Sequence, residues 1–171
     1  MAGTPHSTVR AVEPYHTLIH LYRPQGIMAT VDTVDLGPPH PPKEESLKAF
    51  AEVETELKKE LLHLKHTYLK HEPEYFAAVQ DLSDSDLTAF SNADVESVRV
   101  AQSAYGIHLI GKIRIPAMPD SGPAYLHVRV FVSDDPAKLH CIHTEEREEP
   151  DGGKRYRAIF TKDDALEWFD T

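Results

Sequence analysis

The most regular pattern in the chain is an apolar stripe between residues 43 and 71. This stretch contains no glycine or proline, and its large apolar residues recur mostly at spacings of three, four and seven: Leu47, Phe50, Leu57, Leu61, Leu64 and Tyr68. Such spacings place side chains on one side of an α-helix. Glu44 and Glu45 suit the positive N-terminal end of that helix. The pattern predicts a long amphipathic helix whose apolar side is covered, most simply by a β-sheet.

Segments rich in β-prone residues stand on both sides of the helix. Before it, residues 15–23 and 27–36 flank a Pro-Gln-Gly turn, which predicts an N-terminal hairpin. After it, five segments joined by turn-prone sequence predict a meander of strands: 95–102, 106–115, 124–133, 139–145 and 155–161.

Three shorter stretches predict single helical turns, and they lie at residues 73–79, 84–90 and 163–169. Pro73 is well tolerated in a first helical turn, and Ser83 is a suitable N-cap for the second. Because the strands form two blocks without strand–helix–strand alternation, the expected fold class is α+β. We expect an antiparallel sheet, made of the N-terminal hairpin and the C-terminal meander, packed against one long helix and short helices.

The two central segments of the meander alternate strictly and so predict the two faces of the sheet. One face is aliphatic, with Leu109 and Ile113 from one segment and Val128 and Val130 from the next. The opposite face, here called the polar face, carries these side chains: His108, Lys112, Arg114, Tyr125, His127, Arg129 and, from the last segment, Arg157. A shift of one residue would exchange the faces, so the register is well specified.

The polar face allows two interpretations. In the first, it lines a pocket between the sheet and the helices. His108 and His127 are then candidate catalytic acid–base groups, because imidazole titrates near neutral pH. Arg129 and Arg114 are candidate ligands for an organic anion, and Tyr125 is a candidate hydrogen-bond donor to the substrate. In the second interpretation, the face is exposed to solvent and its charges pair with glutamates of neighbouring strands.

These interpretations lead to two functional hypotheses. A pocket predicts a domain that binds a small organic anion or aromatic molecule, with cofactor-independent lyase, isomerase or cyclase chemistry as its catalytic form. A solvent-exposed polar face favours a non-catalytic acidic protein that acts as an interaction or inhibitor module. That module would bind a basic partner through the acidic run at residues 145–149 and the helix surface, and salt would weaken the association.

Composition narrows these hypotheses. The length of 171 residues predicts one domain over residues 1–171. The formal net charge of −10 excludes generic binding to nucleic acid or anionic membranes. Residues 1–13 are expected to be a flexible N-terminal segment. A single cysteine and the lack of a signal-like apolar run predict a soluble protein of the cytoplasm or nucleus. A homodimer or a complex with a basic protein remains open.

The sequence contains no strong signature of a metal or cofactor. His140 and His143 belong to a predicted strand, where a spacing of three points side chains to opposite faces and disfavours a shared ion. Cys141 between them is expected to be a small buried side chain and not a nucleophile. A glycine-rich phosphate loop, an acidic calcium loop and a nucleophile elbow are all lacking. We therefore expect no metal and no cofactor.

Overall fold

Helix α1 spans Glu44–His71 in the computed structural model, which describes residues 29–170. It confirms the helix predicted from the apolar stripe. Phe50, Leu57 and Leu61 are buried on the side that faces the sheet, and two glutamates lie in the first turn. No helix in the described residues is both long and apolar enough to cross a bilayer.

An antiparallel sheet of five strands packs against α1, with the strands in the order β1 to β5. The strands are β1 Asp35–Leu36, β2 Val95–Ser103, β3 Gly106–Arg114, β4 Tyr125–Val132 and β5 Lys138–Ile142. Strands β2 to β5 form the body of the predicted meander. Two further strands, β6 Glu145–Glu148 and β7 Lys154–Arg157, pair with each other as a separate hairpin. The α+β fold class is confirmed.

Short helical segments connect α1 to the sheet. A 3₁₀ helix spans Pro73–Val79, helix α2 spans Asp84–Leu87, and a second 3₁₀ helix spans Asn92–Asp94. The helical turns predicted at residues 73–79 and 84–90 are thus confirmed, although α2 ends earlier. The predicted cap of α2 is also present, since the Asp86 backbone N–H donates to Ser83 Oγ at 3.1 Å.

The aliphatic face of the sheet packs on α1 as the alternation predicts. Leu109 and Ile113 of β3 and Val128 of β4 are buried in the same cluster as the apolar stripe of α1. Gly111 lies between the two β3 residues, and a side chain there would collide with the Phe50 ring. Its missing Cβ lets α1 approach the sheet closely.

The N-terminal side of the sheet differs from the prediction. Residues 1–13 and 15–23 lie outside the described residues. A strand forms only over Asp35–Leu36, so the prediction of a strand across residues 27–36 is wrong for residues 31–34, which form a turn. There the Thr33 backbone N–H donates to the Thr30 carbonyl, and the Thr30 N–H donates to the Thr33 hydroxyl. These local bonds replace strand pairing.

The end of the meander also differs from the prediction. The segment at 139–145 is divided between β5 and β6, and β7 pairs with β6 and not with the main sheet. Opposite charges favour the separate hairpin, since Glu145 lies across from Arg157 and accepts its Nε–H at 2.6 Å. The predicted helical turn at 163–169 is wrong, because residues 165–170 form no regular structure.

Gly111→Ala tests the close approach of α1. A Cβ at this position would lie 2.9 Å from Phe50 Cε1 and closer still to Cζ, so the helix must shift or the ring must rotate. We expect the free energy of unfolding to fall by about 1–3 kcal/mol, as overpacked cores show. Urea denaturation measures this change. Gly122→Ala is the matched control, because a Cβ there meets no atom within 4 Å; equal effects of both changes would contradict the packing argument.

Candidate functional site

Residues 158–170, here called the C-terminal strap, cross the polar face of the sheet. Phe160 pairs with Tyr125 of β4 through two backbone hydrogen bonds of 2.8 and 3.0 Å, and the chain then continues without regular structure. Beneath it, His108, His127 and Arg129 expose only 2%, 1% and 5% of their surface. The interpretation of the polar face as solvent-exposed is therefore wrong for these three residues.

Cationic side chains of the sheet hold the strap by its carbonyl groups. Lys112 Nζ donates to the carbonyl oxygens of Lys162 at 2.9 Å and of Asp164 at 2.5 Å. Arg99 on β2 donates to the Leu166 carbonyl at 2.7 Å. Covered carbonyl groups outside regular structure need such donors, because an unpaired polar group is costly away from water. This pattern also explains why residues 163–169 do not form the predicted helical turn.

Asp164 fixes the beginning of the irregular part of the strap. Its carboxylate accepts hydrogen bonds from the Thr161 backbone and hydroxyl at 2.7 Å and from Arg157 at 2.8 Å. Burial alone would raise the pKa of this carboxyl, but the hydrogen bonds from Thr161 and the charge of Arg157 outweigh it and lower the pKa to about 2. Asp164 is therefore ionised at neutral pH.

His127 belongs to a stack of rings under the strap. Its ring lies 4.2 Å from that of Phe160, with an angle of 5° between the planes, and Phe160 lies 4.8 Å from His143. His143 in turn stacks on Phe169 at 4.3 Å. Burial lowers the pKa of His127 to about 3 and that of His143 to about 4, with Lys112 adding to the effect on His127. Both imidazoles are neutral at pH 7 and pack as flat aromatic groups.

A second cluster surrounds Arg129. The guanidinium carbon lies 4.5 Å from the centre of the Trp168 ring, and Nη1 donates to Asp170 Oδ1 at 3.2 Å. The Trp168 indole N–H donates to the same oxygen at 3.1 Å. His108 lies against the edge of Trp168 at 5.2 Å, and burial, with the charges of His140 and Arg129, lowers its pKa to about 4. The Arg129 guanidinium group thus contacts one carboxylate and one aromatic ring of the strap.

Several buried atoms of the polar face lack a hydrogen-bond partner among the described residues. They are His108 Nδ1, His127 Nε2, His143 Nδ1 and Arg129 Nε. A buried donor or acceptor without a partner costs on the order of 1–3 kcal/mol. The strap therefore covers these groups without satisfying all of their hydrogen-bonding capacity.

The five candidate residues do not form a single site. His108 and Arg129 share the cluster around Trp168, whereas His127 belongs to the separate stack with Phe160. Tyr125 and Arg114 lie at the far end of the strands: the Tyr125 hydroxyl donates to Glu96 at 3.5 Å, and Arg114 pairs with Asp120. Their roles as catalytic or anion-binding residues stay predictions.

His140 and His143 are placed differently from the expectation. A register shift between Arg129 and Val130 leaves His140 without a paired residue on β4, and β5 ends at Ile142, so strict alternation does not extend over both histidines. Both rings contact the polar face, His140 on His108 at 5.2 Å and His143 near His127. The expectation that they point to opposite faces is wrong. No set of three or more His, Cys, Asp or Glu side chains within residues 29–170 is arranged to hold a metal ion.

Cys141 pairs with Arg129 across the β4–β5 ladder and lies partly buried beside Ile110 and Leu166. Burial raises the pKa of the thiol. A thiol that is protonated at neutral pH is a poor nucleophile, in agreement with a packing role.

Two adjoining clefts open between α1, β5 and the strap, with volumes of about 470 and 510 Å³. Tyr68, Thr144 and Asp170 line both. Five carboxylates line the combined space, here called the acidic cleft: Glu56, Glu60, Glu145, Glu146 and Asp170. Of the described residues, no lysine or arginine lines it, and His108, His127 and Arg129 do not line it either.

The sequence contained partial signals for the acidic cleft. The glutamates at 145–149 were visible as a charge run, but Glu56 and Glu60 belong to the polar side of a helix and carry no sign of a site by themselves. Trp168 and Phe169 belong to the helical turn predicted at 163–169, whereas Asp170 carries no signal of a site. Only the path of the strap brings these residues together.

The buried histidines predict a loss of stability in mild acid. In the unfolded chain a histidine has a pKa near 6.5, but His108, His127 and His143 titrate at about 4, 3 and 4 in the fold. As the pH falls below about 6.5, the unfolded chain binds protons that the folded chain does not, so stability falls with pH until the folded pKa values are reached. Above about pH 6.5 this contribution is fully present.

His127→Phe tests this linkage, because it keeps a flat ring on Phe160 and removes one titrating group. We expect the dependence of the unfolding free energy on pH, between about pH 6 and 4.5, to become shallower by up to about 1.4 kcal/mol per pH unit. Urea denaturation at a series of pH values measures the slope. His71→Gln, at an exposed histidine, is the control for loss of an imidazole. Parallel curves for wild type and His127→Phe would contradict the linkage.

Comparisons with protein-family models, with curated protein sequences and with solved structures gave no match. The interpretation of the site therefore depends on the chemistry of its own residues. Two features carry that chemistry: the open acidic cleft and the covered cluster around Arg129.

Proposed function

We propose that this protein is a non-catalytic binding module that takes a basic, extended segment of a partner protein into the acidic cleft. The observation that carries the proposal is the lining of the cleft, with five carboxylates and, among the described residues, no lysine or arginine. Of the two hypotheses from the sequence, this one develops the acidic interaction module. The net charge of −10 would also steer a basic partner toward the protein.

Glu56 and Glu60 supply the strongest argument from charge. They lie four residues apart on α1, and neither forms an ion pair with another of the described residues. Like charges at this spacing destabilise a helix by a few tenths of a kcal/mol. Glu145 and Glu146, in contrast, already pair with Arg157 and Lys154. A lysine or arginine between Glu56 and Glu60 would remove the repulsion, so these two residues are the proposed cation ligands.

Aromatic side chains at one end of the cleft suit a cationic ligand as well. Tyr68 and Tyr75 contact each other with ring centres 4.5 Å apart, and Trp168 lines the cleft beyond them. A guanidinium or ammonium group over such a ring gains about 0.5–2 kcal/mol from the charge distribution of the ring. Carboxylates and aromatic faces together favour arginine over an uncharged side chain.

The edge of the sheet provides a third element of recognition. Strand β5 is the last strand of the sheet, with no neighbour on its outer side among the described residues, and residues 139–142 line the cleft. An exposed edge carries unpaired backbone groups that can pair with an extended chain. A partner segment could therefore add to β5 while its basic side chains reach Glu56 and Glu60.

The catalytic hypothesis has less support. His108 and His127 lie under the strap and do not line the acidic cleft. Burial also lowers their pKa values to about 4 and 3, well below the range in which a general acid or base works efficiently at neutral pH. A lyase, isomerase or cyclase reaction through these two residues would need the strap to move first.

Glu56→Gln/Glu60→Gln tests the proposed cation ligands. The probe is a capped, fluorescein-labelled hexapeptide of alternating arginine and valine. We expect the double variant to bind it about five- to tenfold more weakly than wild type and to show a smaller salt dependence, because two carboxylates no longer act on the arginines. Fluorescence anisotropy at low and moderate salt measures both quantities.

Asp134→Asn/Asp135→Asn is the matched control, because it removes the same charge at two exposed residues outside the cleft. An equal loss in both double variants would reduce the effect to net charge and contradict the proposal. A second peptide with alternate N-methylated residues keeps the charges but cannot form the strand ladder. Undiminished binding of that peptide would exclude addition to β5.

A further inference from the structure

We infer that Arg129 and His108 build a binding site for an aromatic carboxylate, which Trp168 and Asp170 of the strap occupy as tethered substitutes. The inference does not rest on the proposed function, since it concerns an anionic ligand held by Arg129 and His108, which do not line the acidic cleft. It rests on the geometry around one buried guanidinium group. That group already holds both parts of such a ligand, a carboxylate and a ring.

The site has two fixed contacts. Asp170 Oδ1 lies 3.2 Å from Arg129 Nη1, and the Trp168 ring centre lies 4.5 Å from the guanidinium carbon. Arginine binds carboxylates through its planar fork and stacks on aromatic rings through its face, so one side chain recognises both parts. His108 contacts the indole edge and completes the wall of the ring position. A ligand with a ring close to its carboxylate reproduces both contacts.

The strap is an incomplete occupant of this site. Only one oxygen of Asp170 is placed on the guanidinium group, and it also accepts the indole N–H of Trp168. Arg129 Nε and His108 Nδ1, both in side chains more than nine-tenths buried, have no partner among the described residues. A free carboxylate can accept from Nε and Nη together, which Asp170 does not do. The unused capacity favours exchange of the strap for a ligand.

Residues 168–170, at the end of the strap, have contacts separate from those that anchor its earlier part. Trp168, Phe169 and Asp170 contact the sheet through their side chains. Lys112 and Arg99 instead hold the earlier carbonyls at residues 162, 164 and 166. Asp170 keeps 61% of its side chain exposed, so its carboxylate gives up little burial when it moves. Displacement therefore requires breaking the Arg129 contacts, the contact of Trp168 with His108, and the stack of the buried Phe169 on His143.

Phenylacetate is the probe for this site, because it joins one ring to one carboxylate by a single methylene. Trp168 is the only tryptophan in the chain, so its fluorescence reports directly on displacement of the strap. We expect phenylacetate to cause a saturable red shift of the emission as the indole moves into water. Acetate, which lacks the ring, and 2-phenylethanol, which lacks the charge, should cause no such shift at the same concentrations.

Asp170→Ala removes the tethered carboxylate and should bind phenylacetate about tenfold more tightly than wild type, because the competing occupant is gone. Thermal unfolding gives a second readout, since a ligand that binds only the folded chain raises the Tm. Asp163→Ala is the matched control: it removes the charge of an exposed aspartate of the strap that forms no ion pair with the described residues.

The expected pattern is tighter binding for Asp170→Ala and wild-type binding for Asp163→Ala. Three results would overturn the inference: no saturable response of wild type and Asp170→Ala to millimolar phenylacetate, equal gains in both variants, or an equal response to 2-phenylethanol. Failure of the arginine–valine peptide to bind would leave this result unaffected, because that peptide tests Glu56 and Glu60.

Discussion

The need to cover both faces of one sheet determines most of this structure. Helix α1 buries the aliphatic face, but the described chain has no second long helix for the other face. An irregular strap covers it instead, and such a strap brings carbonyl groups that no regular structure satisfies. Lys112 and Arg99 supply the donors, so the cations of the sheet are the partners of the strap. This face is polar because its side chains donate hydrogen bonds to the backbone carbonyls of the strap.

Covering the face changes the chemistry of its histidines. An imidazole in water near neutral pH exchanges protons readily, but His108, His127 and His143 are held neutral by burial. His127 and His143 stack on Phe160 and Phe169, and His108 and Trp168 meet edge-on. The same residue type therefore serves as an aromatic packing group. The charged groups that remain available lie at the margin of the strap, where carboxylates line the acidic cleft and Arg129 pairs with Asp170.

Much of the fold could be predicted from the sequence, because its signals are local. The spacing from Leu47 to Tyr68 predicted α1, and the alternation in β3 and β4 predicted both faces of the sheet. The strap could not be predicted in this way. Its residues Leu166, Trp168 and Phe169 fit a helical turn equally well, and the competing interactions come from Lys112 and Arg99 on distant strands. The placement of His140 and His143 depends on the register shift between β4 and β5, which no residue pattern in the sequence indicates.

The polar face also has a consequence for biosynthesis. The strap follows β2 to β5 in the chain, so the ribosome makes these strands before the segment that covers their polar face. A bare aliphatic face would then invite association with other nascent chains. Arginine, lysine and histidine side chains on this face hydrate well until residues 158–170 arrive. The composition that suits the finished interior is thus also one that an uncovered sheet can expose to water.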